Sequence, residues 1–373
     1  MAQQHIFYAV VIPGLEKLAA AELESLSAHD ISIETGGVNF SGTMQLMYRV
    51  NLRSRTITRV LMRLRTFRSM TLEGLGFDLK KVAWHLFFNE YTELDVLVNC
   101  RRSRLNHSDE ISEFAKTEIK RNLPKIGTFD GQKHQQTLHI HIDNNRGILS
   151  LDTSGDRLDR RGYRLESGKA PLRETLAAAI VQWSGWKPEQ TLLTPMCGSG
   201  TFPIEAAMMA SKRAPNLSHD FHVLHWPSFK KKEFQKVLER CQQMKNDVQT
   251  QIFASDLNSG ALEICKNNAQ RASVENMIEV SQLDIHSLRK PETEKGGLLI
   301  INPPYGHRIG ERQPVLSLWH DLGEVIRNQF NDDISWKTVI VCPDQECEKA
   351  LKLEVKRRLQ VSHGGNPVAV LEI

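Results

Sequence analysis

The chain lacks several features that would narrow its role at once. No uninterrupted apolar run approaches the ~20 residues needed to cross a bilayer. The first twenty residues break their apolar positions with Pro13, Glu16 and Lys17, so neither a membrane span nor an export signal is expected. Cysteine is sparse: Cys100, Cys197, Cys241, Cys265, Cys342 and Cys347 form no CxxC pair and no histidine–cysteine cluster of zinc spacing. That argues against a metal and suits a reducing cytoplasm, the expected location. Low-complexity tracts are missing too, and 14 prolines are scattered along the length, which argues against long disorder. One stretch lacks charge of one sign. Between Glu34 and Glu73 no acidic residue occurs, while Arg49, Arg53, Arg55, Arg59, Arg63, Arg65 and Arg68 all do. The overall net charge of +4 permits a nucleic-acid partner without requiring one.

At 373 residues the chain exceeds what one core usually supports, so two or three domains are expected. The first part reads as mixed α and β. Strand-like Ile6 to Val11 precedes a helical pattern over Gly14 to Leu26, then a turn at Gly36-Gly37 and a short strand Val38 to Phe40. A helix from Thr43 to about Ser54 follows. Over Ile57 to Phe67, Val60, Met62 and Leu64 alternate with Leu61, Arg63 and Arg65, predicting a strand with one apolar and one largely basic face. Arg59, Arg63 and Arg65 are therefore candidate phosphate contacts, against the alternative of an ordinary solvated strand face. Strands at Asp95 to Asn99 and Thr137 to Ile142, with a helix over Ser108 to Arg121, complete this α+β region near residue 150.

Past residue 170 the pattern changes to short apolar strands, mostly followed by helices. A helix is expected over Pro171 to Trp183, then strands Thr191 to Thr194, Ile252 to Ser255, Ile278 to Leu283, Leu298 to Ile301 and Thr338 to Cys342. Such alternation predicts a parallel sheet covered on both faces, with ligands beyond the carboxyl ends of its strands. The interval between Thr201 and Asp256 is longer than a helix crossover needs. Residues 211–250 read as an insertion carrying Lys230-Lys231-Lys232 and an amphipathic run from Phe234 to Met244, either an RNA contact or a solvated helix.

Four motifs fall at the predicted strand ends. Met196-Cys197-Gly198-Ser199-Gly200-Thr201 opens a helix from Pro203 to Met209, and its glycines let backbone amides approach an anionic ligand; a merely tight connection has the same residues. Asp256-Leu257 places a carboxylate where ribose hydroxyls could be bound, although Asp256 or Asn258 could equally cap a helix. Asp284-Ile285 could receive an adenine amino group and pack on its ring. Asn302-Pro303-Pro304-Tyr305 is the most informative. Consecutive prolines deny a helix and hold two acceptors, the Asn302 side chain and the Pro303 carbonyl, toward an exocyclic amino group, with Tyr305 offering a stacking face. A rigid turn alone explains such a tetrapeptide less well when three compatible strand-end motifs precede it. A nicotinamide dehydrogenase is disfavoured because the glycine turn lacks GxGxxG.

Together with Arg161-Gly162-Tyr163-Arg164, Ala170-Pro171-Leu172-Arg173-Glu174-Thr175, Arg213-Ala214-Pro215, Trp226-Pro227 and Gly306 to Gly310, these motifs resemble the THUMP-domain RNA guanine-N2 methyltransferases, similar to those acting on bacterial 23S ribosomal RNA or on tRNA. The resemblance covers nearly the whole chain. It implies an α/β fold: a Rossmann-like class I methyltransferase domain at residues 165–373, preceded by a ferredoxin-like module at 1–55 and a THUMP-like RNA-binding domain at 56–160. It further implies S-adenosyl-L-methionine as cofactor, held by Thr175, residues 196 to 201, Asp256, Leu257, Asp284, Ile285 and Asn302, with Asn302 to Tyr305 holding the target base. RNA, ribosomal first and transfer second, is the implied partner, with no metal and no membrane. Adenine N6 as acceptor, or an RNA-binding factor without catalysis, are the alternatives. One departure stands out: the family usually has Asp where this chain has Thr194. His307 is expected to be an ordinary loop residue, with no base role.

Overall fold

The computed structural model describes residues 3–89, 91–123, 133–165, 172–246, 248–305, 312–330 and 333–373. Ala170, Pro171, Gly306, His307 and Gly310 lie outside the described residues. Two compact units emerge. The first comprises Met1–Val11, Ala19–Leu158 and Asn216–Arg240, the second Ile12–Leu18, Asp159–Pro215 and Cys241–Ile373.

The first unit contains seven strands: β1 (His5–Val11), β2 (His29–Glu34), β3 (Gly37–Gly42), β4 (Ile57–Arg68), β5 (Glu93–Arg101), β6 (Gln135–Asp143) and β7 (Arg146–Asp152). They form a single sheet in the order β2-β3-β1-β4-β7-β6-β5, antiparallel except for the β5/β6 pair. Alternation sets the buried face of β1, where Phe7, Ala9 and Val11 point inward and the Phe7 ring stacks on its cross-strand partner Phe40 at 5.3 Å. Strand β4 is central, pairing with β1 on one side and β7 on the other, so residues on both sides of position 56 share one sheet. Its alternation is interrupted. The register shifts between Arg63 and Arg65 against β7, and Leu61 and Met62 are both buried, so the strict two-faced reading of this strand does not hold.

Helices α1 (Glu16–Ser25), α2 (Met44–Arg53), α3 (Leu72–Leu79) and α4 (Ser108–Arg121) precede residue 150, α2 being started by the Thr43 hydroxyl, which accepts from the Leu46 amide at 3.3 Å. The segment read as an insertion contributes to this same unit. Asn216 donates to the Asn51 carbonyl at 2.8 Å, and Phe234 meets Tyr48 edge-on at 5.4 Å. The apolar face of the amphipathic run is thereby used in packing, while Lys230, Lys231 and Lys232 stay exposed.

The second unit is a doubly wound sheet, as the alternation of strands and helices predicts. Helices α5 (Glu174–Ser184), α6 (Thr201–Ala210), α8 (Ser259–Arg271), α9 (Arg312–Gln329) and α10 (Gln345–Leu351) accompany β8 (Thr191–Pro195), β9 (Ile252–Asp256), β10 (Ile278–Gln282), β11 (Gly297–Ile301), β12 (Trp336–Cys342), β13 (Arg357–His363) and β14 (Asn366–Glu372); α7 (Lys231–Gln243) runs across the division between the units. The order is β10-β9-β8-β11-β12-β14-β13, with β14 antiparallel to both neighbours and the rest parallel. Strand residues split by parity: Leu192, Ala254, Leu298 and Ile300 join the core under α5, α6 and α8, while Leu193, Leu299 and Ile301 join that under α9 and α10. The order reverses between β8 and β11, and there the loops after adjacent parallel strands diverge and leave a crevice.

Candidate active site

The loop after β8 is built to expose backbone. Met196, Gly198 and Gly200 all have positive φ, 54°, 54° and 83°. For Met196 that conformation is costly, and it persists because the loop is fixed on every side. The Cys197 amide donates to the Ser255 carbonyl at 2.9 Å, the Gly198 amide to Asp256 Oδ2 at 3.0 Å, and the Gly200 amide to the Cys197 carbonyl at 2.9 Å. Asn268 on α8 donates to the Ser199 carbonyl at 3.0 Å. A side chain at Gly200 would lie 2.4 Å from Cys265 Sγ, so only glycine fits both the backbone and the space. Thr201 then starts α6, whose N-terminus carries the positive end of its dipole.

Asp256 ends β9 and is a cross-link rather than a cap. Its Oδ2 takes the Gly198 amide and its Oδ1 the Asn258 amide at 2.9 Å, tying the ends of β8 and β9 together. Capping falls to Asn258, which accepts from Gly260 and Ala261 at 2.9 and 3.3 Å. Each Asp256 oxygen keeps a lone pair for a hydroxyl donor. Leu257 beside it is 64% exposed, a large apolar face left in the open at a strand end. Asp284, beyond β10, is more open: its side chain is 44% exposed and Oδ1 accepts only the His286 amide, at 2.9 Å. Ile285 behaves differently from the expectation that it lies on an adenine ring. It is buried with Leu193, Leu299 and Ile301, in the short 3-10 turn that Asp284 starts.

The turn Asn302 to Tyr305 follows β11. Its Tyr305 hydroxyl donates to Asn302 Oδ1 at 2.7 Å, and the Trp319 indole of α9 donates to the Pro304 carbonyl at 3.4 Å. The Asn302 acceptor is thus turned inward onto its own motif, and burial raises the Tyr305 hydroxyl pKa, keeping it a neutral donor. Pro303 is buried, Pro304 exposed, and the Tyr305 ring leans on the core, 6.2 Å edge-on from His363. Nothing in the tetrapeptide signals Trp319, fifteen residues away; the fold supplies that support.

A group around Arg161 to Arg164, in which only Thr175 and Thr201 carried a role by resemblance, completes the site. Arg164 donates to the Leu172 carbonyl at 2.6 Å, to Glu174 Oε2 at 2.7 Å and to Thr201 Oγ1 at 3.4 Å. Below it, Tyr163 donates to Glu205 Oε1 at 3.1 Å and Arg161 lies 3.5 Å from the same oxygen. Burial raises the Glu174 pKa to about 7 despite the Arg164 charge beside it. Thr175, in the first turn of α5, is fully buried, and its hydroxyl has no hydrogen-bond partner among the described residues. An orphaned hydroxyl near two helix N-termini linked by one arginine suits the carboxylate of an amino-acid group, so the residues fit a cofactor with a methionine end. Thr194 is buried, its hydroxyl donating to the Phe253 carbonyl at 3.2 Å, and supplies no charge. Among the described residues no set of three His, Cys, Asp or Glu is placed to hold a metal.

Arg59, Arg63 and Arg65 belong to the first unit. Arg59 pairs with the buried Asp152 and also donates to the Gly155 carbonyl. Arg63 donates to Ser150 at 3.0 Å and covers the Tyr8 ring at 4.2 Å, and Arg65 pairs with Asp78 at 2.8 Å. Each of the three has a partner within its own unit.

Comparison with known proteins gives the family. The profile of the RMKL-like methyltransferase domain matches residues 161–369, and that of the RlmL ferredoxin-like domain matches residues 6–61. The "Putative RNA methyltransferase slr0064" of Synechocystis sp. is 32% identical over 372 residues, covering 98% of this chain and 96% of that protein. The ribosomal RNA large subunit methyltransferase K/L of Photobacterium profundum is 34% identical over 342 residues, 87% of this chain; the chain spans about half of that relative, 47% of its length. The crystal structure of SMU.472, "a putative methyltransferase complexed with SAH", superposes with a TM-score of 0.89 at 25% identity, covering 100% of this chain and 98% of that one. The chain belongs to the RMKL-like methyltransferase family, with that methyltransferase domain following an RlmL ferredoxin-like domain.

Proposed function

We propose that the chain transfers a methyl group from S-adenosyl-L-methionine to the exocyclic N2 of a guanine in large-subunit ribosomal RNA. The observation that carries this reading is the Asn302 to Tyr305 turn, an amine-orienting acceptor at the end of β11, the strand paired with the one that ends in the glycine loop. Support for the cofactor comes from the orphaned Thr175 hydroxyl and from the SAH bound to SMU.472. The names of the relatives, an RNA methyltransferase and a large-subunit ribosomal RNA methyltransferase, support the substrate.

Thr175 and the amides opening α6 would hold the cofactor's amino-acid end, Asp256 its ribose, and Asp284 with Leu257 its adenine. When bound, the cofactor supplies an electrophilic methyl group on a sulfonium. Asn302 Oδ1 would exchange the Tyr305 hydroxyl for a hydrogen of the base amino group, and the Pro303 carbonyl would accept the second. This aims the nitrogen lone pair, and the proton leaves after attack, so no strong base is required. The THUMP-like stretch, residues 56–160, would bind the RNA, and the reaction would take place in the cytoplasm.

The test is methyl transfer from labelled S-adenosyl-L-methionine to protein-free ribosomal RNA and to bulk tRNA, followed by digestion to nucleosides. Label in N2-methylguanosine from ribosomal RNA is the expected result. Label in N6-methyladenosine would move the acceptor, label in tRNA would change the substrate, and no label on either RNA would contradict the reading.

A further inference from the structure

We propose that Arg164 is a positioning residue that fixes the two helix starts, Thr175 on α5 and Thr201 on α6, at the spacing that the amino-acid end of the cofactor requires. The inference rests on the cofactor assignment above and deepens it. One guanidinium reaches both helices: the Leu172 carbonyl and the Glu174 carboxylate at the start of α5, and the Thr201 hydroxyl at the start of α6. Such a planar fork holds its partners in fixed directions, as a lysine ammonium would not. The pair is nearly closed to water, with 14% of the Arg164 side chain and 3% of the Glu174 side chain exposed.

The second observation points to a ligand. Thr175, the residue after Glu174, is fully buried, and among the described residues its hydroxyl lacks any hydrogen-bond partner. Unmet buried hydroxyls are costly, and this one sits where the N-terminal amides of α5 gather positive potential. A carboxylate satisfies all of these donors together. Tyr163 and Arg161, both on Glu205, brace the segment that carries Arg164. Arg164 touches no reacting atom in this scheme. It acts through where it holds Thr175 and Thr201.

The experiment compares two ligands on the full-length chain by calorimetry: S-adenosylhomocysteine, which has the amino-acid end, and 5′-methylthioadenosine, which keeps adenine and ribose but lacks it. Arg164→Gln is expected to weaken S-adenosylhomocysteine roughly tenfold or more while leaving 5′-methylthioadenosine within about twofold. Arg164→Lys, which keeps the charge and loses the fork, should recover only part of the loss. Equal loss of both ligands would overturn the proposal in favour of general unfolding of the site, and unchanged binding of both would overturn it directly. Failure of the wild-type chain to bind S-adenosylhomocysteine would instead overturn the cofactor assignment, and this proposal with it.

Discussion

Asp256 and Asp284 stand at the ends of neighbouring parallel strands, yet the chain uses them differently. Asp256 gives one oxygen to the loop after β8 and the other to the loop after β9, so it is part of the frame. Asp284 caps a single turn through one oxygen, and its side chain is 44% exposed. A carboxylate that joins two loops cannot be removed without moving both, whereas one at an open edge can be lost with its surroundings intact. Position in the topology therefore identifies a ligand-facing residue, and its hydrogen bonds show whether it also shapes the site.

The largest effect is expected at Asp256. Asp256→Ala removes the ribose acceptor and frees the Gly198 and Asn258 amides, so S-adenosylhomocysteine affinity should fall about a hundredfold, with melting lowered as well, measured by calorimetry on one preparation. Gly200→Ala disturbs the same frame while leaving both strand-end carboxylates in place. Its φ of 83° and the 2.4 Å approach to Cys265 Sγ should cost about 2 kcal/mol in denaturant unfolding. Asp284→Ala sharpens the contrast: affinity should drop only about fivefold, with the melting temperature unmoved. Equal effects at Asp256 and Asp284 would remove the distinction. The smallest effect is expected from the arginines of β4. Arg65→Gln should cost about 0.5 kcal/mol of stability through the Asp78 pair and leave RNA affinity and its salt dependence unchanged in filter binding. A clear loss of RNA affinity would give Arg65 a phosphate-contact role instead.

The second unit was the more legible one because its parallel strands are short, apolar and bounded by motifs, and their chemistry lies at the strand ends. The Asn302 turn, the glycine loop and both strand-end aspartates all fall where the alternation put them. Strands β13 and β14 were missed although a signal existed: Gly364-Gly365, both with positive φ, separates them as a hairpin turn. Strand β2 gave none, since hardly any of its side chains is buried and an edge strand of that kind has no apolar period to read. The partners of the arginine run were hidden from the sequence for another reason. The acids that engage it, Asp152 and Asp78, lie outside the stretch that lacks acids, and only pairing of β4 with β7 brings Asp152 across from it. Composition over a window cannot register partners supplied by tertiary structure.

The central claim is that the strand ends of the second unit hold the cofactor while Asn302 orients the target amine. The most direct test is Asn302→Ala, assayed for labelled methyl transfer to ribosomal RNA and for S-adenosylhomocysteine binding in the same preparation. Transfer reduced a thousandfold or more, with binding kept within roughly threefold, is the result predicted. Undiminished transfer would contradict the account.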